Sequence, residues 1–213
     1  MIAMKKVLVL GATGNTGQEV VAQALQLGHD VTVFVRDRQR LRQPSDRLRV
    51  YTGSITESLD ALDAAVQGRD VVISTLGVGN SLKSHGLIER SVPLIVQAME
   101  KHGMRRLIFT SAYGVGATHR DLPFVPRMAI RVLLRDLYND KEAGEVVLRR
   151  SDLDWTIVYP STLTNAPGTG HYRAGERLTL HGLPRISRAD VATFLLSQIE
   201  DRSYVRRGVL VSS

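Results

Sequence analysis

Seven consecutive residues, Gly11-Ala12-Thr13-Gly14-Asn15-Thr16-Gly17, carry the strongest chemical signal in the chain. Glycine recurs at every third position. An apolar run precedes them and a helical pattern follows. Such a strand–loop–helix unit is suited to a phosphate-bearing ligand. The first glycine permits the tight turn, the second lets the backbone approach a pyrophosphate, and the third lets the helix pack on the strand. Free N–H groups at the start of the helix then face the anion. Thr13, Asn15 and Thr16 add side-chain donors. The lysine of a nucleoside-triphosphate loop is missing, which argues against an NTPase.

A second chemical position lies just beyond the next apolar run, Asp30–Val35. An acidic residue there bonds the ribose 2′-hydroxyl of NAD, whereas an arginine suits the 2′-phosphate of NADP. This chain has Arg36. Guanidinium and phosphate form a charge-assisted, often bidentate pair. The expectation is NADP(H) as the preferred cofactor, with NAD(H) possible. Arg38 and Arg40 stand close enough to assist. A solvated arginine beside Asp37 is the alternative.

Elements that would position these residues alternate along the whole chain. Strands are expected at Lys6–Leu10, Asp30–Val35, Leu48–Thr52, Asp70–Thr75, Arg106–Ser111 and Asp154–Tyr159, with Gly208–Val211 closing the sheet. Helices are expected at Asn15–Leu27, Thr56–Gln67 with Leu59, Leu62, Ala65 and Val66 inward, His85–Lys101, about Pro126 to Arg150 with a break near Asn139, and Ser187–Ile199. In the last of these Ser187 is the N-cap and Asp190 stands at N3. Alternating strands and helices imply right-handed β-α-β units. The fold class is therefore α/β, a doubly wound, mostly parallel sheet of Rossmann type in a single domain, residues 1–213. Glycine, proline and threonine interrupt any period from Pro160 to Pro184, so residues 160–185 are expected to form a small substrate-loop region.

Composition narrows the classes. The chain has 213 residues, no cysteine and a net charge of +7. Disulfides, thiolate metal sites and thiol catalysis are excluded. The six histidines show no ligand spacing, so no metal is expected. The apolar run ending at Leu10 is too short for a signal peptide, and no segment reaches the length of a membrane span. A cytoplasmic protein, monomeric or weakly dimeric, is the expectation. Arg36, Arg38, Arg40, Arg42, Arg47 and Arg49 cluster without interleaved aromatics, which makes nucleic acid an unlikely partner.

The loop sequence GATGNTG resembles the atypical short-chain dehydrogenase/reductase superfamily, in which NmrA-like and flavin reductase-like proteins sit. LRRSDLDWTIVYP, Leu148–Pro160, is similar to the segment in which that family's helix ends and a strand runs to a proline beside the nicotinamide. TGHYRAG, Thr169–Gly175, with LPRISRADVATFLLSQI after it, resembles the C-terminal part of flavin reductase, also called biliverdin IXβ reductase. The resemblance implies that Gly11, Thr13, Gly14, Asn15, Thr16 and Gly17 hold the pyrophosphate and Arg36 the 2′-phosphate. It implies that Ser54 and Ile55 flank the adenine, although the family often has aspartate at Ser54. Leu76 and Gly77 would line the ribose. Ser111 would sit by the nicotinamide, and Pro160, Ser161 and Thr162 would close over its other side.

The superfamily's catalytic tyrosine and lysine are four residues apart. Here Lys141 has Leu137 in that place and Tyr138 three before it, which turns the side chain to a different angle on a helix. Lys141 and Glu145 match a spacing of NmrA-like relatives, or form a surface ion pair of little worth. Tyr113, two after Ser111, stands where it could face the site. His171 and Tyr172 lie in the substrate region. The candidate catalytic residues are Ser111, Tyr113 and Lys141. The resemblance implies an NADPH-dependent reductase of a planar small-molecule acceptor, a flavin, bilin or quinone. A non-catalytic NADP(H)-sensing regulator is the rival. A sugar-nucleotide epimerase is disfavoured by the short substrate region and the missing tyrosine.

Overall fold

An unbroken apolar run needs cover on both faces, and strand β1 (Lys6–Leu10) receives it. Leu8 and Leu10 join one core layer, and Val7 and Val9 join the other. The computed structural model describes residues 3–42, 45–79, 81–116, 118, 132–180 and 182–213. Strands β2 (Asp30–Val35), β3 (Leu48–Thr52), β4 (Val71–Ser74), β5 (Arg106–Thr110), β6 (Asp154–Pro160) and β10 (Arg207–Ser212) pair in parallel around β1. With β8 (Arg173–Gly175) the order is β3-β2-β1-β4-β5-β6-β10-β8, and β8 runs antiparallel to β10. The chain adopts the doubly wound α/β sheet that the alternation implies. Its direction of winding reverses between β1 and β4, where such sheets open a crevice at the carboxyl ends of the strands.

Helices α1 (Asn15–Gln26) and α5 (Arg188–Ser197) cover the face that carries Val7 and Val9. Helices α2 (Leu59–Val66), α3 (Leu87–Lys101) and α4 (Arg135–Arg150) cover the other. Gly144 fixes how closely α4 meets α3. A Cβ there would lie 2.6 Å from Ile88 Cγ2 and 3.0 Å from Val92 Cγ2. Asp140 ties the same two helices together. Its carboxylate accepts the Ile88 N–H at 3.1 Å and the Glu89 N–H at 2.9 Å. It thereby satisfies amides at the open end of α3, whose own cap residue Gly86 offers no side chain. The tether sets the register of α4, the helix that presents Lys141 and Glu145 to β5.

Several expected boundaries move for local reasons. α2 starts at Leu59 and not at Thr56, because the Ser58 hydroxyl accepts the Ser54 N–H at 3.1 Å and closes a turn there. Leu59 then faces solvent, half exposed, in place of the expected inward position. α3 starts at Leu87, since His85 and Gly86 both take left-handed backbone, with φ of 54° and 63°. α4 runs through Asn139 without a break, and the bend lies at Leu134. The expected helical residues 126–131 lie outside the described residues. The region from 160 to 185 is also more ordered than a loop. It contributes β7 (Thr162–Thr164), β8 and β9 (Arg185–Ser187), with β7 and β9 paired in parallel as a separate ribbon. β10 therefore does not close the sheet, and β8 lies outside it.

Candidate active site

Two of the three loop glycines are demanded by the polypeptide itself. Gly11 has φ +80°, and a Cβ on it would lie 2.7 Å from Thr75 O at the end of β4. A Cβ on Gly17 would lie 2.2 Å from Gly11 O. The Thr75 hydroxyl donates to Leu10 O at 3.0 Å and to Gly11 O at 3.3 Å, pinning β4 against the loop. Gly14 differs. Its backbone is ordinary extended chain, and a Cβ would meet only Gly11 O, at 3.3 Å. Its missing side chain chiefly clears the space above α1.

That space suits an anion. Gly14 caps α1 without a side-chain hydrogen bond, and the first turn holds no acidic residue. The first amides of the helix are left for a ligand, at the positive end of the helix dipole. Thr13 and Thr16 are half-buried beside them, and Asn15 is exposed. The Gln18 side chain donates to Thr13 O at 3.0 Å and holds the loop shut from behind. The residues present fit a pyrophosphate.

The other expected contacts stand at the carboxyl ends of neighbouring strands. Arg36 follows β2 and is exposed. The adjacent Asp37 is occupied elsewhere, since it accepts the Gln39 N–H at 2.9 Å and caps the one-turn helix Arg38–Arg40. Ser54, after β3, shares a hydrogen bond with Thr56 at 3.3 Å, while Ile55 is buried in the core. Leu76 is half-buried and Gly77 exposed after β4, and a Cβ on Gly77 would meet nothing within 4 Å. Pro160 ends β6. Ser161 is bonded through its N–H to Val211 O at 3.0 Å and through its hydroxyl to Ser212 Oγ at 3.0 Å. Thr162 opens β7, with its N–H on Pro184 O at 3.2 Å.

At the end of β5 the structure brings together groups that lie far apart in sequence. Ser111 is buried, and its hydroxyl donates to Glu145 Oε1 at 2.6 Å. Glu145 is 2% exposed, so it is no surface ion-pair partner. Its other oxygen accepts the Tyr159 hydroxyl at 2.6 Å and the Arg149 guanidinium at 3.4 Å. Burial pushes the Tyr159 phenol far above its usual range, and the Glu145 charge adds to the rise. Lys141 is partly buried and donates to Thr110 O at 3.5 Å. Burial lowers its pKa, opposed by the Glu145 and Asp140 carboxylates. Tyr138 does not reach toward Lys141. Its hydroxyl donates to Tyr113 O at 3.1 Å, and burial raises its pKa. The Tyr113 N–H in turn bonds Pro160 O at 3.1 Å.

Sequence reasoning missed Tyr159 and Arg149, and gave Glu145 no partner at Ser111. One signal was available: Lys141, Glu145 and Leu148 share a helix face at i, i+4 and i+7, and Leu148 is buried. Asp190, expected only at N3 of the last helix, does more. It does pair with Ser187, at 2.8 Å, but it also accepts the Thr169 N–H at 2.9 Å and the Gly170 N–H at 2.8 Å. Burial alone would raise its carboxyl, yet these hydrogen bonds hold it below the usual range. Asp190 thus anchors residues 169–170 to α5. Tyr172 packs edge-on against Phe194, with centroids 6.0 Å apart, and His171 is exposed.

A cavity at the opposite, amino-terminal end of the strands is lined by Lys6, Arg49 and Arg69 together with Asp30 and Asp46. It touches none of the groups above. No helix among the described residues is long and apolar enough to cross a membrane.

Comparison with known proteins agrees with this fold. Among curated relatives, the chain is 27% identical over 207 residues to an uncharacterized sugar epimerase, YhfK, of Bacillus subtilis, covering 95% of this chain and 91% of that one. Its fold matches a wide-type short-chain dehydrogenase/reductase of Veillonella parvula solved in complex with NADP, with a TM-score of 0.83 at 23% identity, covering 99% and 95% of the two chains. It also matches ChuY, an anaerobillin reductase of Escherichia coli O157:H7, with a TM-score of 0.80 at 22% identity over 97% and 96%. The model of the NAD(P)H-binding family matches residues 11–202, from the first loop glycine to beyond α5, and the chain belongs to that family.

Proposed function

We propose that the protein is an NADPH-dependent reductase that delivers hydride to an extended planar acceptor of the flavin, bilin or quinone class. The observation that carries this reading is the pairing of a glycine loop that leaves the first amides of α1 open with a tied-off phenol at Tyr138. Tyr138 spends its hydroxyl on Tyr113 O, so it is not free to protonate a carbonyl. An acceptor that takes hydride by stacking on the cofactor needs no such acid. The bound dinucleotide supplies the hydride, and the protein supplies position and electrostatics. Backbone amides of Asn15 to Gly17 hold the pyrophosphate, since the Gly14 N–H already donates to Gly11 O at 3.0 Å, and Arg36 holds the 2′-phosphate. Ser111 and Pro160 to Thr162 flank the nicotinamide from the ends of β5 and β6. Similarity to a solved bilin-class reductase and to an NADP complex supports the reading.

The test is a spectrophotometric screen of NADPH oxidation with FMN, riboflavin, biliverdin and simple quinones. Turnover with FMN or riboflavin is expected, and slower turnover with NADH. Failure with every acceptor refutes the reductase. The tied-off phenol also favours a second reading, an NADP(H) sensor without catalysis. It requires different affinities for oxidised and reduced cofactor, read by calorimetry, with no turnover at all.

A further inference from the structure

Ser111 carries one hydroxyl hydrogen, and the structure commits it. The donors around Glu145 fix where each hydrogen goes. An arginine can only donate, so at 2.8 Å the Tyr159 oxygen accepts from Arg149. The Tyr159 hydrogen then points to Glu145 Oε2, 2.6 Å away. Arg149 itself reaches the same oxygen at 3.4 Å. Ser111 Oγ faces the remaining oxygen, Oε1, at 2.6 Å. The carboxylate accepts at both oxygens, so the Ser111 hydrogen goes to Oε1. Toward the site, Ser111 is left with lone pairs alone.

We infer that Glu145 is a positioning residue that locks Ser111 as a hydrogen-bond acceptor, so that this point of the site selects a ligand group bearing an N–H. The primary amide of a nicotinamide is such a group. The inference rests on the NADPH reading above. Its corollary is that Ser111 has no proton to give an acceptor, so the proton that accompanies hydride comes from elsewhere.

The substitution Glu145→Gln reverses the polarity. The carbonyl oxygen of the new carboxamide would turn to the two donors, Tyr159 and Arg149, and its NH2 would face Ser111. The serine would then accept from that NH2 and turn its own hydrogen into the site.

The experiment is calorimetric titration of the full chain with NADP and with its 3-acetylpyridine analogue, whose methyl ketone replaces the amide and offers no N–H. The wild type is expected to bind the amide form about tenfold more tightly, the worth of one hydrogen bond to such an acceptor. Glu145→Gln is expected to lose that preference or invert it. Ser111→Ala is expected to lose it while leaving Tyr159 and Arg149 on Glu145. Equal binding of the two dinucleotides by the wild type overturns the inference and leaves the NADPH reading standing. Binding of neither overturns both. An undiminished preference in Ser111→Ala also overturns it, and that variant decides the matter if Glu145→Gln does not fold.

Discussion

Removing the Asp140 carboxylate probes how α4 is held. Its two oxygens serve two amides at the start of α3, Ile88 and Glu89, at 2.9–3.1 Å. Asp140 is 6% exposed, and the Ile88 bond is fully buried. Gly86 supplies no substitute acceptor. Asp140→Ala therefore leaves one amide buried without a partner and a second partly so. At about 1–3 kcal/mol for a buried orphan, and the low end for the half-buried one, the loss is roughly 2–4 kcal/mol. Asp140→Asn keeps one acceptor oxygen and gives up the charge at the helix end, for a loss of about 1 kcal/mol. Urea unfolding followed by circular dichroism measures both. With a slope of about 1–3 kcal/mol per molar urea, the alanine variant shifts the midpoint by roughly 1 M or more. A shift in the alanine variant below about 0.5 kcal/mol, the range of ordinary surface changes, would refute the tether. So would an asparagine variant as damaged as the alanine one.

The loop glycines should separate fold from ligand. Gly17→Ala places a methyl 2.2 Å from Gly11 O, against the backbone of Gly11 and Ala12, and should cost several kcal/mol or prevent folding, seen as a lowered melting temperature. Gly14→Ala meets only the 3.3 Å contact, so it should change stability by less than about 1 kcal/mol while NADPH affinity falls tenfold or more in calorimetry. Arg36→Gln should weaken NADPH by about 10- to 100-fold and leave NADH nearly unchanged, the range for a hydrogen bond to a charged group. His29 is buried, accepts the Lys5 N–H on Nδ1 at 3.2 Å, and has its pKa lowered by burial. The unfolded chain then takes up the proton first, so stability is full above about pH 6.5 and is lost as pH falls through the folded value. His29→Gln should flatten that acid-side slope, measured as urea midpoints at several pH values, and an unchanged slope counts against the assignment.

The parallel strands were legible because burial on both faces leaves runs such as Val7–Leu10 and Val71–Ile73 with no polar interruption. The glycine loop was legible because the left-handed turn at Gly11 and the contact of Gly17 with Gly11 O both lie within a single strand–turn–helix unit. Three-residue strands such as β7, β8 and β9 were not. Three residues cannot display a period, and their partners Arg185–Ser187 and Leu210–Ser212 lie far along the chain. The same distance hid the polar partners. Ser111 and Glu145 are 34 residues apart, and Ile88 and Asp140 are 52 apart. Only the packing of α4 on β5 and α3 brings them into reach. Glu145 in sequence is one more charged residue in a charged helix, and its burial is a tertiary fact.

Between β6 and α5 the polypeptide is stitched down at three places: β7 on β9, β8 on β10, and the 169–170 amides on Asp190. What remains between the stitches, residues 165–168 and 176–184, is fastened at both ends. Closing a span whose ends are already fixed costs little more when it grows, about 0.6 kcal/mol for each doubling. The cheapest places to lengthen them lie away from Leu178 and Leu180, which pack on the core, and from Asn165, which accepts from Arg188 at 2.7 Å. Insertions there would leave the glycine loop between β1 and α1, at the other end of the chain, as it is.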